Sequence, residues 1–280
     1  MASVTSNFKE RDLGGIVEEL FRIYTRNFLS FLGIAAVCTI PLAIIGTALR
    51  WYAVPYVPPD TSELTILFII IAILILASIL ASLLLPAAVT YAVATYYQDS
   101  RIAIGKAYEF AWHRLGSLLG VGFLAGLALF ALCITIIGIP FAIYFGVAWA
   151  FIIQTVVLEQ QGITRSLSRS SALVKNTWWR VLGVLIIIAL IESILSSVAG
   201  GTVGFITVVL RELADILLID VFSTLVASFV GMVFLPISLI GAVLLYFDLR
   251  IRKEGYSLET MARELRISDE LSQKGTGPIL

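Results

Sequence analysis

One acid stands alone in a long apolar stretch. Glu192 lies within residues 181–199, twelve residues after Arg180 and eight before Gly200. At 1.5 Å per residue it sits about 18 Å along a helix from the basic end. A bare carboxylate that deep in hydrocarbon is costly, so it must be protonated, paired or in contact with water. Ser196 follows one turn later on the same helical face, with Ser193 and Ser197 beside it. Two chemistries fit this group. One is a proton or cation site. The other is a hydrogen bond that fixes helix packing, with Gln154 of the preceding apolar run as partner.

A second set of residues is suited to anions. Residues 163–180 carry Arg165, Arg169, Lys175 and Arg180, with Ile163, Leu167, Val174 and Trp178 on another side. A helix of this kind can lie in the membrane interface with its cations at anionic head groups, each contributing roughly 1 kcal/mol. Residues 13–26 divide in the same way, with Leu13, Ile16, Val17, Leu20, Phe21, Ile23 and Tyr24 opposite Glu18, Glu19, Arg22 and Arg26. The plainer reading is that these helices only cap the bundle. A lipid, regulatory or partner role is the alternative.

Other catalytic vocabulary is missing. No His/Cys metal spacing, Walker-type loop or nucleophile–base–acid set is present. No catalytic residue, metal site or cofactor is expected, and no nucleic-acid partner. His113 beside Trp112 reads as an interfacial residue, and Cys38 and Cys133 as small buried ones.

The elements that must position these groups are membrane spans. Of the 280 residues 59% are hydrophobic and 14% charged, against about 25% charged in soluble domains. About 20 apolar residues cross a bilayer as a helix. Spans are expected at 28–48, 64–85, 118–137, 141–158, 181–199 and 221–247. The second continues past a kink at Pro86. Gly138-Ile139-Pro140 turns the chain between the third and fourth, and Gly200-Gly201 ends the fifth. The charged stretch 203–220 reads as a short surface helix on the outer side. The loop 51–63 carries interfacial aromatics and three prolines.

Basic residues orient this map. Seventeen of the 19 Lys and Arg fall before the first span, after the last, or in the segments following spans two and four; Arg50 and Arg211 are the exceptions. The positive-inside rule places both termini in the cytoplasm of a multi-pass cell-membrane protein. Basic flanks on both sides of 118–158 require that run to cross an even number of times. The expected fold is therefore all-α and polytopic. A membrane domain covers 1–253 and a short cytoplasmic tail 254–280, opened by a helix capped at Ser257.

The order also suggests a unit of amphipathic helix, span, span used three times, beginning near Asp12, Arg101 and Ile163. Trp112-His113-Arg114-Leu115-Gly116 matches Trp178-Trp179-Arg180-Val181-Leu182. Leu85-Pro86 with Tyr96-Tyr97 matches Leu235-Pro236 with Tyr246-Phe247. Pro140 does not share that spacing.

Three stretches carry a resemblance: residues 20–28 (Leu-Phe-Arg-Ile-Tyr-Thr-Arg-Asn-Phe), Val157-Leu158-Glu159 with Ser166 to Ser171 and Trp178-Trp179-Arg180, and residues 246–255 from Tyr246 to Gly255. In these the chain resembles a bacterial and archaeal multi-span family related to the membrane domain of some glycerophosphoryl diester phosphodiesterases. The resemblance implies a stand-alone membrane module and transfers no catalytic residue. The leading expectation is a non-enzymatic module: scaffold, regulator or lipid-interacting partner. Its partners would be membrane lipid and a protein or a second copy of the chain. A small transporter or channel using Glu192 is the alternative, and a membrane enzyme acting on lipid the third.

Overall fold

The structure is a computed structural model that describes residues 10–53, 61–99, 102–210 and 216–257, with 260 and 263. The described residues form ten helices. They are α1 (Leu13–Arg26), α2 (Phe28–Ala53), α3 (Thr61–Asp99), α4 (Ile104–His113), α5 (Leu115–Cys133), α6 (Gly138–Ala148), α7 (Ile152–Leu158), α8 (Ile163–Val174), α9 (Trp178–Leu210) and α10 (Ile216–Glu254). Six segments are long and apolar enough to cross a bilayer. The protein is an all-α polytopic membrane protein.

The order repeats three times as short helix, span, span: α1-α2-α3, α4-α5-(α6-α7) and α8-α9-α10. These units begin where the charge pattern placed them. Leu32-Gly33 and Leu182-Gly183, Leu85-Pro86 and Leu235-Pro236, and Tyr96 and Tyr246 are each separated by 150 residues. Residues 21–34 and 171–184 share one pattern of buried, half-buried and exposed positions. The middle unit follows that pattern closely when Gly120 is set on Gly33. The Trp112–Gly116 match is therefore three residues out of register: Arg114 corresponds to Thr177, not to Arg180.

The units close into a ring. Each short helix packs on the second span of the unit before it: α4 on α3, α8 on α7, and α1 on α10. Each first span does the same, with α5 on α3, α9 on α6 and α2 on α10. The short helices are thus caps with a buried face. In α1 that face is Ile16, Glu19, Leu20, Ile23 and Tyr24. In α8 it is Ser166, Ser170, Leu173 and Val174, whereas Ile163 is 39% exposed and the expected stripe through Ile163 and Leu167 is not the buried one.

Glycines set how closely the units approach. A Cβ on Gly33 would lie 2.5 Å from Cδ1 of Ile104, the first residue of α4. A Cβ on Gly120 would lie 2.4 Å from Cδ1 of Ile163, the first residue of α8. The third equivalent, Gly183, has nothing within 4 Å, and Leu13 at the head of α1 is 39% exposed. Two seams are thus seated by an isoleucine on a glycine and the third is not.

Three expectations about span ends are corrected. The fifth span does not stop at Gly200-Gly201: α9 runs to Leu210. Lipid offers the backbone no alternative hydrogen-bond partner, so helix persists through glycine there. The surface helix expected over 203–220 is instead the end of α9 and the start of α10, and Arg211, Glu212 and Asp215 lie outside the described residues. The fourth span is not one helix but α6 and α7, broken at residues 149–151. The hairpin before it is as expected: a Cβ on Gly138 would fall 1.9 Å from the Leu132 carbonyl oxygen, so only glycine fits. Pro86 and Pro236 lie inside unbroken helices.

The unequal glycines give a direct test. Gly183→Ala should be neutral or stabilise by up to about 1 kcal/mol, the helix propensity gained. Gly120→Ala must displace Ile163 and should fall about 1 kcal/mol below Gly183→Ala in thermal unfolding of the detergent-solubilised protein. Equal effects would contradict the seating of Ile163.

Candidate functional site: the charge lattice at the basic end

Three carboxylates organise the end of the bundle where the short helices lie. Asp248 is 1% exposed and sits in the last turns of α10. Its Oδ1 accepts the backbone N–H of Arg11 at 2.8 Å, and its Oδ2 accepts Arg180 Nη2 at 2.8 Å and Arg252 Nε at 3.0 Å. Arg180 and Arg252 also donate to the Arg11 carbonyl, at 2.8 and 2.7 Å. Arg252 reaches Glu10 at 2.9 Å. The chain entering α1 is thereby clamped to the end of α10. Asp12 then starts α1, its side chain accepting the Gly15 N–H at 2.9 Å.

Glu159 ends the second span of the middle unit. It accepts Arg169 Nε at 2.6 Å and the Tyr246 hydroxyl at 2.7 Å. Glu254 extends the group, with one oxygen 2.6 Å from Arg169 Nη1 and the other 3.2 Å from Arg250 Nε. The Arg250 guanidinium lies 3.6 Å from the ring centre of Tyr256, a cation–π contact. Burial alone would lower the Arg169 pKa, but hydrogen bonds to Glu254 and Glu159 outweigh it and raise the group above its ordinary value. Glu19 on α1 pairs with Arg22, lies 3.4 Å from Arg11 and accepts the Tyr97 hydroxyl at 2.9 Å.

These groups mark the seams of the ring. Glu159 and Asp248 each end a second span and bind the start of the unit that follows. Gln98 stands 150 residues before Asp248, and its Nε2 has no hydrogen-bond partner among the described residues. That seam is held otherwise. Tyr91 stacks on Phe110 with ring centres 4.6 Å apart, and Tyr108 donates to the Ile34 carbonyl at 2.6 Å.

The break in the fourth span belongs to this lattice. Ser170 of α8 donates to the Ala148 carbonyl at 2.8 Å and accepts the Phe151 N–H at 3.2 Å. One hydroxyl therefore satisfies both sides of the unwound turn. Non-helical backbone at membrane depth persists only with such internal partners. Ser166 is also fully buried.

The structure separates the residues singled out in the sequence. Glu192 and Ser196 are half-buried on α9, and neither side chain makes a hydrogen bond or ion pair among the described residues. Gln154 is buried on α7 with Oε1 unpartnered among the described residues. Its helix packs against α3, α5 and α8, whereas α9 packs on α10 and α6. The Glu192–Gln154 hydrogen bond does not form. Among the four basic residues, Arg169 and Arg180 are held by Glu159, Glu254 and Asp248, while Arg165 and Lys175 are exposed and their side chains bind no acid among the described residues. Sequence reasoning missed Asp248, Glu159 and Glu19. Their position where apolar runs meet basic segments was the available signal.

Among the described residues no group of His, Cys, Asp and Glu is arranged to hold a metal ion. Compared with family models, curated proteins and solved structures, the chain matches none.

Removing the Asp248 carboxylate leaves the Arg11 N–H without its acceptor and takes one partner each from Arg180 and Arg252, which keep the Arg11 carbonyl, and breaking a buried pair costs about 3–5 kcal/mol. Asp248→Ala should lower stability by about that amount, whereas Glu10→Gln, at an exposed pair, should change it by less than about 1 kcal/mol. Thermal unfolding of both variants measures this, and similar losses would contradict the lattice.

Proposed function

We propose that the chain is a non-enzymatic membrane module that engages anionic lipid at its basic end, with that end and both termini on the cytoplasmic side of the cell membrane. The supporting observation is the division of the charges. Asp248 and Glu159 are spent on closing the ring and Glu19 on tying α1 to α3, while Arg165 and Lys175 stand exposed at the same end with no acid partner among the described residues. Cations so placed attract the negative inner leaflet. The positive-inside rule supports the orientation. The resemblance to phosphodiesterase-associated membrane domains agrees with a module that works beside other proteins.

Each basic residue near the surface is worth about 1 kcal/mol. Reversing both Arg165 and Lys175 to Glu should weaken anionic-lipid affinity at least roughly thirtyfold. Delipidated protein in neutral detergent, titrated with phosphatidylglycerol or phosphatidylcholine and followed by thermal stability, measures it. An unchanged preference for the anionic lipid would defeat the proposal.

A second reading rests on Glu192, half-buried in α9 without a partner among the described residues. A transporter using it would lose flux in Glu192→Gln proteoliposomes. Flux that persists in the variant, or is absent from the wild type, eliminates that reading.

A further inference from the structure

The ring has matching openings between units. One lies between α3 and α5. It encloses about 450 Å³ and is lined by Ile79, Ser82, Leu83, Gly122, Gly126 and Leu127 with neighbouring leucine and phenylalanine side chains. The other lies between α10 and α2, encloses about 250 Å³ and is lined by Thr39, Ile40, Ala43, Leu225, Phe229 and Met232 among others. Both join a second span to the first span of the next unit. Pro86 and Pro236 put Ser82 and Met232 at equivalent positions, and Gly120 and Gly33 do the same for Leu127 and Ile40.

The chemistry of the two walls agrees. They are apolar, and their hydroxyls are already spent within their own helices. Ser82 donates to the Ile79 carbonyl, Ser228 to that of Thr224 and Thr39 to that of Ala35. A polar ligand would find no free partner among these hydroxyls, but a hydrocarbon chain needs none. The lining residues all lie within the six membrane-crossing segments, so bilayer hydrocarbon is the surrounding medium.

Each first span that forms a groove is met near its basic end by a short helix that bears an exposed cation. Ile163 sits on Gly120, directly between α5 residues Leu119 and Val121, and Leu119 lines the larger groove. Arg165 is two residues on from Ile163 and exposed. Ile104 sits on Gly33 of α2, the span that walls the smaller groove, and Lys106 is two residues on and exposed. Neither cation's side chain has a hydrogen bond or ion pair among the described residues.

We infer that these are two equivalent phospholipid sites, each taking an acyl chain in the groove between units and an anionic head group at the cation, Arg165 for one and Lys106 for the other. The inference rests on the lipid-binding reading above and adds the positions, the number and the acyl-chain half of each site. It commits to an anionic phospholipid, because a free phosphate would use the cation and leave the groove without a role.

Native mass spectrometry of the full chain, with dioleoyl phosphatidylglycerol or dioleoyl phosphatidylcholine added to the detergent, counts the bound lipids. The wild type should retain two phosphatidylglycerols and lose both when phosphatidylcholine replaces them. A Cβ on Gly126 meets nothing within 4 Å, so the side chain of Gly126→Leu starts in open space; it should fill the larger groove and leave one lipid retained. Ala43→Phe should likewise retain one, and so should Arg165→Glu and Lys106→Glu. Where a groove variant does not fold, Leu127→Trp or Ile40→Trp on the same walls takes its place. Two lipids still bound to folded groove variants, with charge reversal alone effective, would overturn the groove sites and leave the lipid-binding reading standing. Loss of neither lipid in any variant would overturn both, as would equal retention of phosphatidylcholine.

Discussion

Everything in this bundle depends on a buried carboxylate at the end of the last span. Asp248 takes the backbone of Arg11 and the guanidiniums of Arg180 and Arg252, and so joins the first unit to the third. The constraint follows from the solvent. Helices in lipid gain nothing from hiding apolar surface from one another, because the acyl chains are equally apolar. Much of α9 accordingly shows Ile186, Leu190, Ile194 and Val198 outward. Closure of the ring has to come from close packing and from polar bonds. The polar bonds gather at the end where the short helices lie, and the glycine seats of Ile104 and Ile163 lie at that end too.

The lattice also accounts for the differences between units. Where a second span ends in an acid, the next unit is held by arginine. Where it ends in Gln98, stacked rings and a tyrosine hydroxyl do the work. The broken fourth span is explained by the helix that follows it, since Ser170 supplies the partners its backbone lost. In the proposed lipid-binding reading, the same residues that shape the ring also determine which cations remain for lipid. That link between fold and function is electrostatic, and the apolar spans contribute to it only by setting where water ends.

Much of this was legible before any coordinates. Length of the apolar runs, the basic segments and Gly138-Ile139-Pro140 were enough for six crossings and their pairing. The threefold order was visible too, although a Trp-rich match drew the register three residues away from the one set by Leu32-Gly33 and Leu182-Gly183. The break at residues 149–151 was not legible, because no glycine or proline lies in it and its cause sits on another helix. The continuation of α9 through Gly200-Gly201 was hidden by a rule for water-exposed helices. Arg169 and Arg180 looked free because their acids lie on different helices and meet them only in the closed ring. Glu192 drew attention as the lone acid of its span, yet the structure gives it no partner among the described residues, and the acids that organise the fold were the ones at span ends.

Ring closure is the central claim, and a short thiol cross-link tests it most directly. A Cβ on Gly241 of α10 lies 3.0 Å from Leu20 Cδ1 of α1 and 2.8 Å from Ile188 Cδ1 of α9. In a background with Cys38 and Cys133 replaced, Leu20→Cys with Gly241→Cys should cross-link within one chain in membranes, as efficiently as the control pair Ile188→Cys with Gly241→Cys. Efficient linkage of the control with none between positions 20 and 241 would show that the first unit does not dock on the third, and the ring would be wrong.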